Sequence, residues 1–213
     1  MKDDEACQLL TAKTIAERKK LLAQIFMSHR LRLRRMIELR MDPRLKARVG
    51  PSDVLQEAYL EAAQRVDAYL KKPGVPLFVW LRSLVGQHLQ KMHRRHLGAR
   101  RRDVRREIPI GGAGVPAATS AAMSLHILAK NKSPSEEAIQ AEQKGQLEEG
   151  LVAMDPIDRE VLALRHFEHL TSAEAALVLG IGEDAAKKRY LRALERLKHI
   201  LSKMGLDAGA GGQ

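Results

Sequence analysis

The stretch Thr171 to Leu201, TSAEAALVLGIGEDAAKKRYLRALERLKHIL, constrains the fold of this chain more than any other. Thr171-Ser172-Ala173-Glu174 is a capping-box sequence: the Thr hydroxyl can accept a backbone N–H while the Glu carboxylate reaches back to the cap. The pattern predicts a short helix that buries Ala175, Ala176 and Leu179 and breaks at Gly180-Ile181-Gly182. A second helix is predicted from Glu183, with acidic residues in its first turn, where the macrodipole favours them. Its apolar positions are Ala186, Tyr190, Ala193, Leu194, Leu197, Ile200, Leu201 and Met204, a three-four spacing that makes one buried stripe. At about 3.6 residues per turn, Lys188 and Arg192 point away from that stripe, and Lys187, Arg189 and Arg196 lie on its flanks. A helix pair whose second member is buried behind and cationic in front suits a phosphate-lined major groove. The same pattern also fits an αα-hairpin with solvated charges, so the rest of the chain has to decide.

Composition points to a polyanionic partner. Among 213 residues, 37 Lys and Arg face 26 Asp and Glu, a formal charge of +11. Aromatics make up only 3% while Ala, Leu, Arg, Lys and Glu dominate, which predicts an all-α protein of one or two domains. No apolar run approaches the roughly 18 residues of a membrane span, and the start MKDDEACQLLTAKTIAERKK does not read as a secretory signal. Cys7 is the single cysteine, so neither a disulfide framework nor a cysteine zinc site is expected, and a reducing cytoplasm fits. The charge is segregated. Arg30 to Arg106 holds twenty Lys and Arg against seven acidic residues, Lys132 to Glu160 three against eight, and Lys187 to Lys203 seven against one. Two basic modules flank an acidic one, which implies two places that touch nucleic acid.

A pass along the chain gives the same division. Residues 5 to 41 are predicted to form one or two basic helices ending before Asp42-Pro43. Gly50-Pro51-Ser52 starts a helix to about Leu70, with Val54, Leu55, Ala58, Tyr59, Ala62, Val66 and Tyr69 inward. After the turn Lys71 to Pro76, the cleanest periodicity follows: Leu77, Trp80, Leu81, Leu84, Val85, His88, Leu89 and Met92. An arginine-rich run, HRRHLGARRRDVRRE, comes next. Residues 108–133 read as a linker whose middle, Ala121 to Lys130, can form a weak helix. Ser133-Pro134-Ser135-Glu136 is another capping box, and Asp155-Pro156 starts a helix carrying Val161, Leu162 and Leu164. Residues 205–213 read as a disordered tail.

Three segments together resemble the extracytoplasmic-function (ECF) sigma factors of bacterial RNA polymerase, within the sigma-seventy superfamily. Asp53-Val54-Leu55-Gln56-Glu57-Ala58-Tyr59 is similar to the D-[LV]-x-Q-E motif of the helix that docks on the clamp of the polymerase β′ subunit. Phe78-Val79-Trp80-Leu81-Arg82-Ser83-Leu84-Val85 resembles the F-x-W-L-x-x-I-A start of the promoter-melting helix. The terminal helix pair resembles the domain that reads the minus-thirty-five element. The order and spacing of the three around one linker carry the resemblance, which covers roughly Leu31 to Leu201.

The resemblance implies two helical domains: 1–107, for core binding and minus-ten melting, and 134–204, for the minus-thirty-five element, joined by the flexible linker. It implies core-polymerase contact through Asp53, Gln56 and Glu57, and upstream-element reading by Lys187, Lys188, Arg189, Arg192 and Arg196. Minus-ten contact falls to Lys91, Arg94, Arg95, Arg100, Arg101 and Arg102, with a base pocket over roughly His96 to Asp103. Arginines there can neutralise phosphates without choosing sequence. The partners implied are core RNA polymerase, through its β′ clamp and β subunits, and promoter DNA, with an anti-sigma factor as a further class; no cofactor or membrane insertion is implied.

The residues allow plainer readings beside these. Asp53 and Glu57 can simply favour a helix N-terminus, and Trp80 lies on the apolar stripe, as a core residue does, although it could serve as a stacking platform. His93 and His96 stand three apart, but no Cys or carboxylate completes a metal set, and arginines surround them. Gly111-Gly112-Ala113-Gly114 lacks the context of a phosphate loop. No nucleophile–base pair stands out, so an enzyme is not expected. The chain departs from the family pattern at Gln87 and Lys91, where relatives carry Asn and Asp, at Gly182, where Ser is common, and at Lys187-Lys188-Arg189. A free-standing DNA-binding regulator or a packaging protein would share the charge but not the Asp53-Gln56-Glu57 edge.

Overall fold

A computed structural model describes residues 3–12, 14–46, 48–97, 107–110, 113–128 and 137–206. The chain divides into two compact units, residues 1–117 with the short segment Leu177–Gly180, and residues 118–176 with 181–213.

The first unit is built on α1 (Asp3–Thr11), α2 (Ile15–Arg40), α3 (Pro51–Lys71) and α4 (Leu77–Leu97), with a 3-10 turn at Pro43–Leu45. The predicted N-terminal basic segment is thus two helices. Thr14-Ile15-Ala16-Glu17 marks the break by sequence: the Glu17 N–H donates to Thr14 Oγ1 and the Thr14 N–H to Glu17 Oε2, a complete capping box. Leu22, Ile25, Leu33, Met36 and Ile37 of α2 close over Val54, Ala58 and Ala62 of α3 and Leu77, Leu81, Leu84, Val85 and Leu89 of α4, all buried. Each large apolar side chain among them contributes on the order of 1.5–3 kcal/mol, which is why the periodicity of α3 and α4 is so legible in the sequence.

The stretch predicted as a linker carries regular structure. Strands β1 (Glu107–Ile110) and β2 (Ala113–Pro116) form an antiparallel hairpin with Ile108 opposite Val115, and β2 packs on α4. Gly86 makes that approach possible: a Cβ there would fall 2.5 Å from a Val115 methyl. Gly111-Gly112, read as linker glycine, lies outside the described residues. Helix α5 (Ser120–Leu128) coincides with the predicted weak helix and belongs to the second unit.

The second unit continues with α6 (Glu137–Val152), α7 (Pro156–Leu162), a π turn at Ala163–Phe167, α8 (Ser172–Leu179) up to Ala176, and α9 (Glu183–Lys203). Asp155 caps α7 as its sequence predicts, accepting the N–H groups of Ile157 and Asp158 at 2.8 and 3.2 Å. Met123, Leu147, Leu151, Val161, Leu162, Leu164, Leu170, Ala186, Ala193 and Leu197 are buried. Helices α6 and α9 approach at Gly150, where a Cβ would lie 2.8 Å from Ile200. The capping sequence at Ser133–Glu136 and the tail from Asp207 lie outside the described residues. No helix among the described residues is long and apolar enough to cross a membrane.

Candidate nucleic-acid interface

The helix pair at the C-terminus forms as its sequence dictates. The Thr171 N–H donates to Glu174 Oε2 at 2.6 Å and the Glu174 N–H to Thr171 Oγ1 at 3.1 Å, completing the predicted capping box. Helix α8 stops at Gly180, whose φ of 65° is left-handed, and the Ile181 N–H closes back on the Ala176 carbonyl. Ala175 and Ala176 are buried as expected, while Leu179 is only half-buried. Helix α9 begins at Glu183 and ends in a Schellman closure, with the Gly205 and Leu206 N–H groups returning to Ser202 and Leu201. Ala186, Ala193, Leu197 and Leu201 are its buried back, with Tyr190, Leu194, Ile200 and Met204 half-buried.

The five cations of α9 expected to read the upstream element separate into three kinds. Lys188, Arg192 and Arg196 are exposed. Lys187 is exposed but pairs with Glu183 at 2.9 Å and Asp184 at 3.7 Å; the Glu183 hydrogen bond lifts its pKa. Arg189 turns back to α7, with its Nη1 2.7 Å from Asp158 Oδ1 and 3.4 Å from Asp155 Oδ1. The sequence pattern places Arg189 on a flank but does not show which neighbour that flank meets.

At the other basic module, Lys91, Arg94 and Arg95 are exposed on the last turns of α4. Lys91 Nζ stands 3.5 Å from Glu61, which also takes His88 at 2.5 Å and Arg65 at 2.6 Å. Burial alone would raise the Glu61 carboxyl, but the bonds from Arg65 and His88 and the charge of Lys91 outweigh it and hold it below the ordinary range. His93 turns inward, its Nε2 3.4 Å from the Asp42 backbone nitrogen. Burial lowers its pKa, while the hydrogen bond from Arg44 carries Asp42 down to about 2. Trp80 stacks on Tyr69 with ring centroids 4.5 Å apart and is half-buried, which is a packing role. Arg100, Arg101 and Arg102, with the segment 98–106, lie outside the described residues.

Asp53, Gln56 and Glu57 are all exposed along one edge of α3. Asp53 also accepts the Gly50 N–H at 2.7 Å, so it closes its own helix as well as facing outward. Leu60, 49% exposed one turn beyond Gln56, continues that edge and has no role in the sequence pattern; its failure to fit the α3 core periodicity is the signal that could have found it.

Residues 144–197 match the family model for sigma-70 region 4, a span that includes α7, the π turn, α8 and most of α9. A probable RNA polymerase sigma factor, RfaY, from Xanthomonas campestris pv. campestris is 30% identical over 149 residues, 70% of this chain and 33% of that protein. The chain is similar to sigma factors of bacterial RNA polymerase. The RNA polymerase sigma-E factor of Streptomyces avermitilis is 38% identical over 60 residues, 28% of this chain and 34% of that protein. The matched stretch spans about a third of the length of each of these curated relatives. In fold, the chain resembles CnrH, solved in complex with the cytosolic domain of CnrY: TM-score 0.53, 18% identity, 93% of this chain and 98% of that one covered.

Proposed function

We propose that this chain is a promoter-specificity subunit, which binds core RNA polymerase, recognises promoter DNA and directs the start of transcription. The observation that carries it is the region 4 helix pair, formed residue by residue, with Lys188, Arg192 and Arg196 exposed on α9. These side chains, with Lys187, face the upstream element; bonds to phosphates supply affinity and base edges in the major groove supply choice. Asp53, Gln56 and Glu57 dock the β′ clamp, because an acidic and amide edge on a basic domain repels DNA and attracts Lys and Arg of a protein. Lys91, Arg94 and Arg95, together with Arg100, Arg101 and Arg102, hold the melted minus-ten region. Residues 1–107 carry the core-binding and melting work, and 134–204 the upstream reading. The protein acts in the cytoplasm beside the polymerase, requires no cofactor, and leaves the chemistry of RNA synthesis to the polymerase. An anti-sigma protein is a further class of partner.

Pull-down with purified core polymerase tests the reading. Stoichiometric association, followed by run-off transcription from a genomic library with the reconstituted holoenzyme, is the expected result. A chain that binds DNA but not core polymerase would instead be a free-standing regulator.

A further inference from the structure

Arg189 stands among the cations of α9, yet its side chain is only 26% exposed and that of its main partner, Asp158, only 14%. Asp155, its second partner, is already engaged as the cap of α7, where its Oδ1 accepts two backbone N–H groups. A rotation of α9 about its axis would therefore pull Arg189 off both carboxylates. The next residue reinforces the seat. The Arg165 guanidinium lies 5.2 Å from the centre of the Tyr190 ring and donates to the Leu170 carbonyl. Adjacent residues thus fasten α9 to α7 and to the segment that follows it. Lys188 and Arg192, on either side, remain exposed.

We propose that Arg189 is a positioning residue: held by Asp158 and Asp155, it fixes the rotation of α9 and so determines which bases Lys188 and Arg192 reach. The inference rests on the reading of α9 as the promoter-reading helix and deepens it, making two acidic residues at the start of α7 determinants of sequence choice. Tolerances justify the role, since bonds to base edges need placement to about 0.5 Å and 10–20°. Solvated lysines alone cannot supply that rigidity.

Two accounts of Asp158 give opposite signs. If it only adds negative field near a polyanion, or masks Arg189 from DNA, neutralising it tightens binding. If it seats α9 through Arg189, neutralising it weakens specific binding despite the charge gained. The test uses the full-length chain assembled with core RNA polymerase. The probes are a promoter duplex selected by the wild-type holoenzyme in run-off transcription and the same duplex with a scrambled upstream element, each titrated across a salt series.

The expected result for Asp158→Asn is about tenfold weaker binding to the intact element, mid-range for coupled residues, and unchanged binding to the scrambled one. The salt slope should not move, because every phosphate partner is retained. Arg189→Asp should be at least as damaging, and Asp158→Arg combined with Arg189→Asp should recover to within about threefold, since the pair is restored in reverse. Asp158→Asn binding as tightly as wild type, or a slope that falls by about 0.9 in Arg189→Ala, would overturn the positioning role. Where thermal melting shows the single variants unfolded, the reversed pair decides: recovery supports the proposal and its absence sinks it. A wild-type holoenzyme indifferent to scrambling overturns the promoter reading itself, whereas discrimination retained by both wild type and Asp158→Asn overturns only the seat.

Discussion

The edge of α3 and the front of α9 are both charged faces set against surroundings of opposite sign. Asp53 and Glu57 stand in a stretch with twenty Lys and Arg and seven acidic residues; the cations of α9 follow a stretch where acidic residues outnumber basic ones eight to three. On each face, part of the set is engaged inside its own domain. Asp53 accepts the Gly50 N–H, and Arg189 bonds to Asp158. Asp53 stays exposed even so, beside Gln56 and Glu57, whereas on α9 Lys188, Arg192 and Arg196 are exposed and Arg189 is half-buried. Charge counted along a sequence therefore overstates the charge a face presents. Helix ends and helix–helix seats draw on the same residue types, and a half-buried ion pair holds its partners where an exposed one does not.

The strongest way to break the comparison is to reverse the α3 edge. Asp53→Lys with Glu57→Lys places like charges against a basic partner, which costs several kcal/mol, so core-polymerase affinity should fall at least about a hundredfold. Circular dichroism should report a folded protein; unchanged affinity in that folded variant removes the docking role. Taken singly, Asp53→Lys should also lose about 1 kcal/mol of stability with its cap interaction, while Glu57→Lys should not.

Truncation of the α9 front comes next. Lys188→Ala with Arg192→Ala should lower upstream-element affinity. Removing a bond to a base edge should cost about 1–3 kcal/mol, and removing a bond to a phosphate should reduce the salt slope by about 0.9. Binding that is insensitive to the pair would move the reading surface elsewhere on the domain.

The end of α4 offers a second cationic set, and its partial tie to Glu61 sharpens the contrast with α9. Arg94→Ala with Arg95→Ala should leave upstream binding intact and reduce open-complex formation by roughly tenfold on a duplex promoter, as expected when two phosphates go unneutralised. A pre-melted bubble should recover much of that deficit. Permanganate footprints with equal defects on both templates would reduce these arginines to general attraction.

Two glycines test the packing behind the faces. Gly86→Ala places a Cβ 2.5 Å from Val115 and 3.2 Å from Met36, so overpacking of about 1–3 kcal/mol should exceed the helix-propensity gain of about 1. Gly145, on α6, has nothing within 4 Å of an added Cβ, and Gly145→Ala should stabilise by about 0.8–1 kcal/mol. Urea unfolding of the two variants should shift in opposite directions; equal shifts would deny the tight seat of β2 on α4.

The smallest effect is an acid limb. His93 and Asp42 both have folded-state pKa values below their unfolded ones, so the unfolded chain binds more protons and stability drops as the pH is lowered. The His93 part is present above about pH 6.5 and is lost as pH drops below it; the Asp42 part is lost between about pH 4 and 2. Asp42→Asn should flatten the lower window in a thermal-melting series and leave the upper one in place.

What the sequence determined alone was local. The capping box at Thr171–Glu174, the Asp155-Pro156 start and the glycine stop at Gly180 formed as written, and the three-four stripes of α3, α4 and α9 turned inward with their margins, Tyr59, Trp80 and Tyr190 among them, half-buried, because each depends on neighbours within a turn or two. The same locality made the exposure of Asp53, Gln56, Glu57, Lys188 and Arg192 readable. Tertiary structure decided the rest. That β2 lies on Gly86, that Glu61 gathers His88 and Lys91 from α4, and that Arg189 serves Asp158 rather than solvent all depend on which elements come together. Helical periodicity fixes the direction a side chain leaves its own axis, but only packing places another residue in that direction.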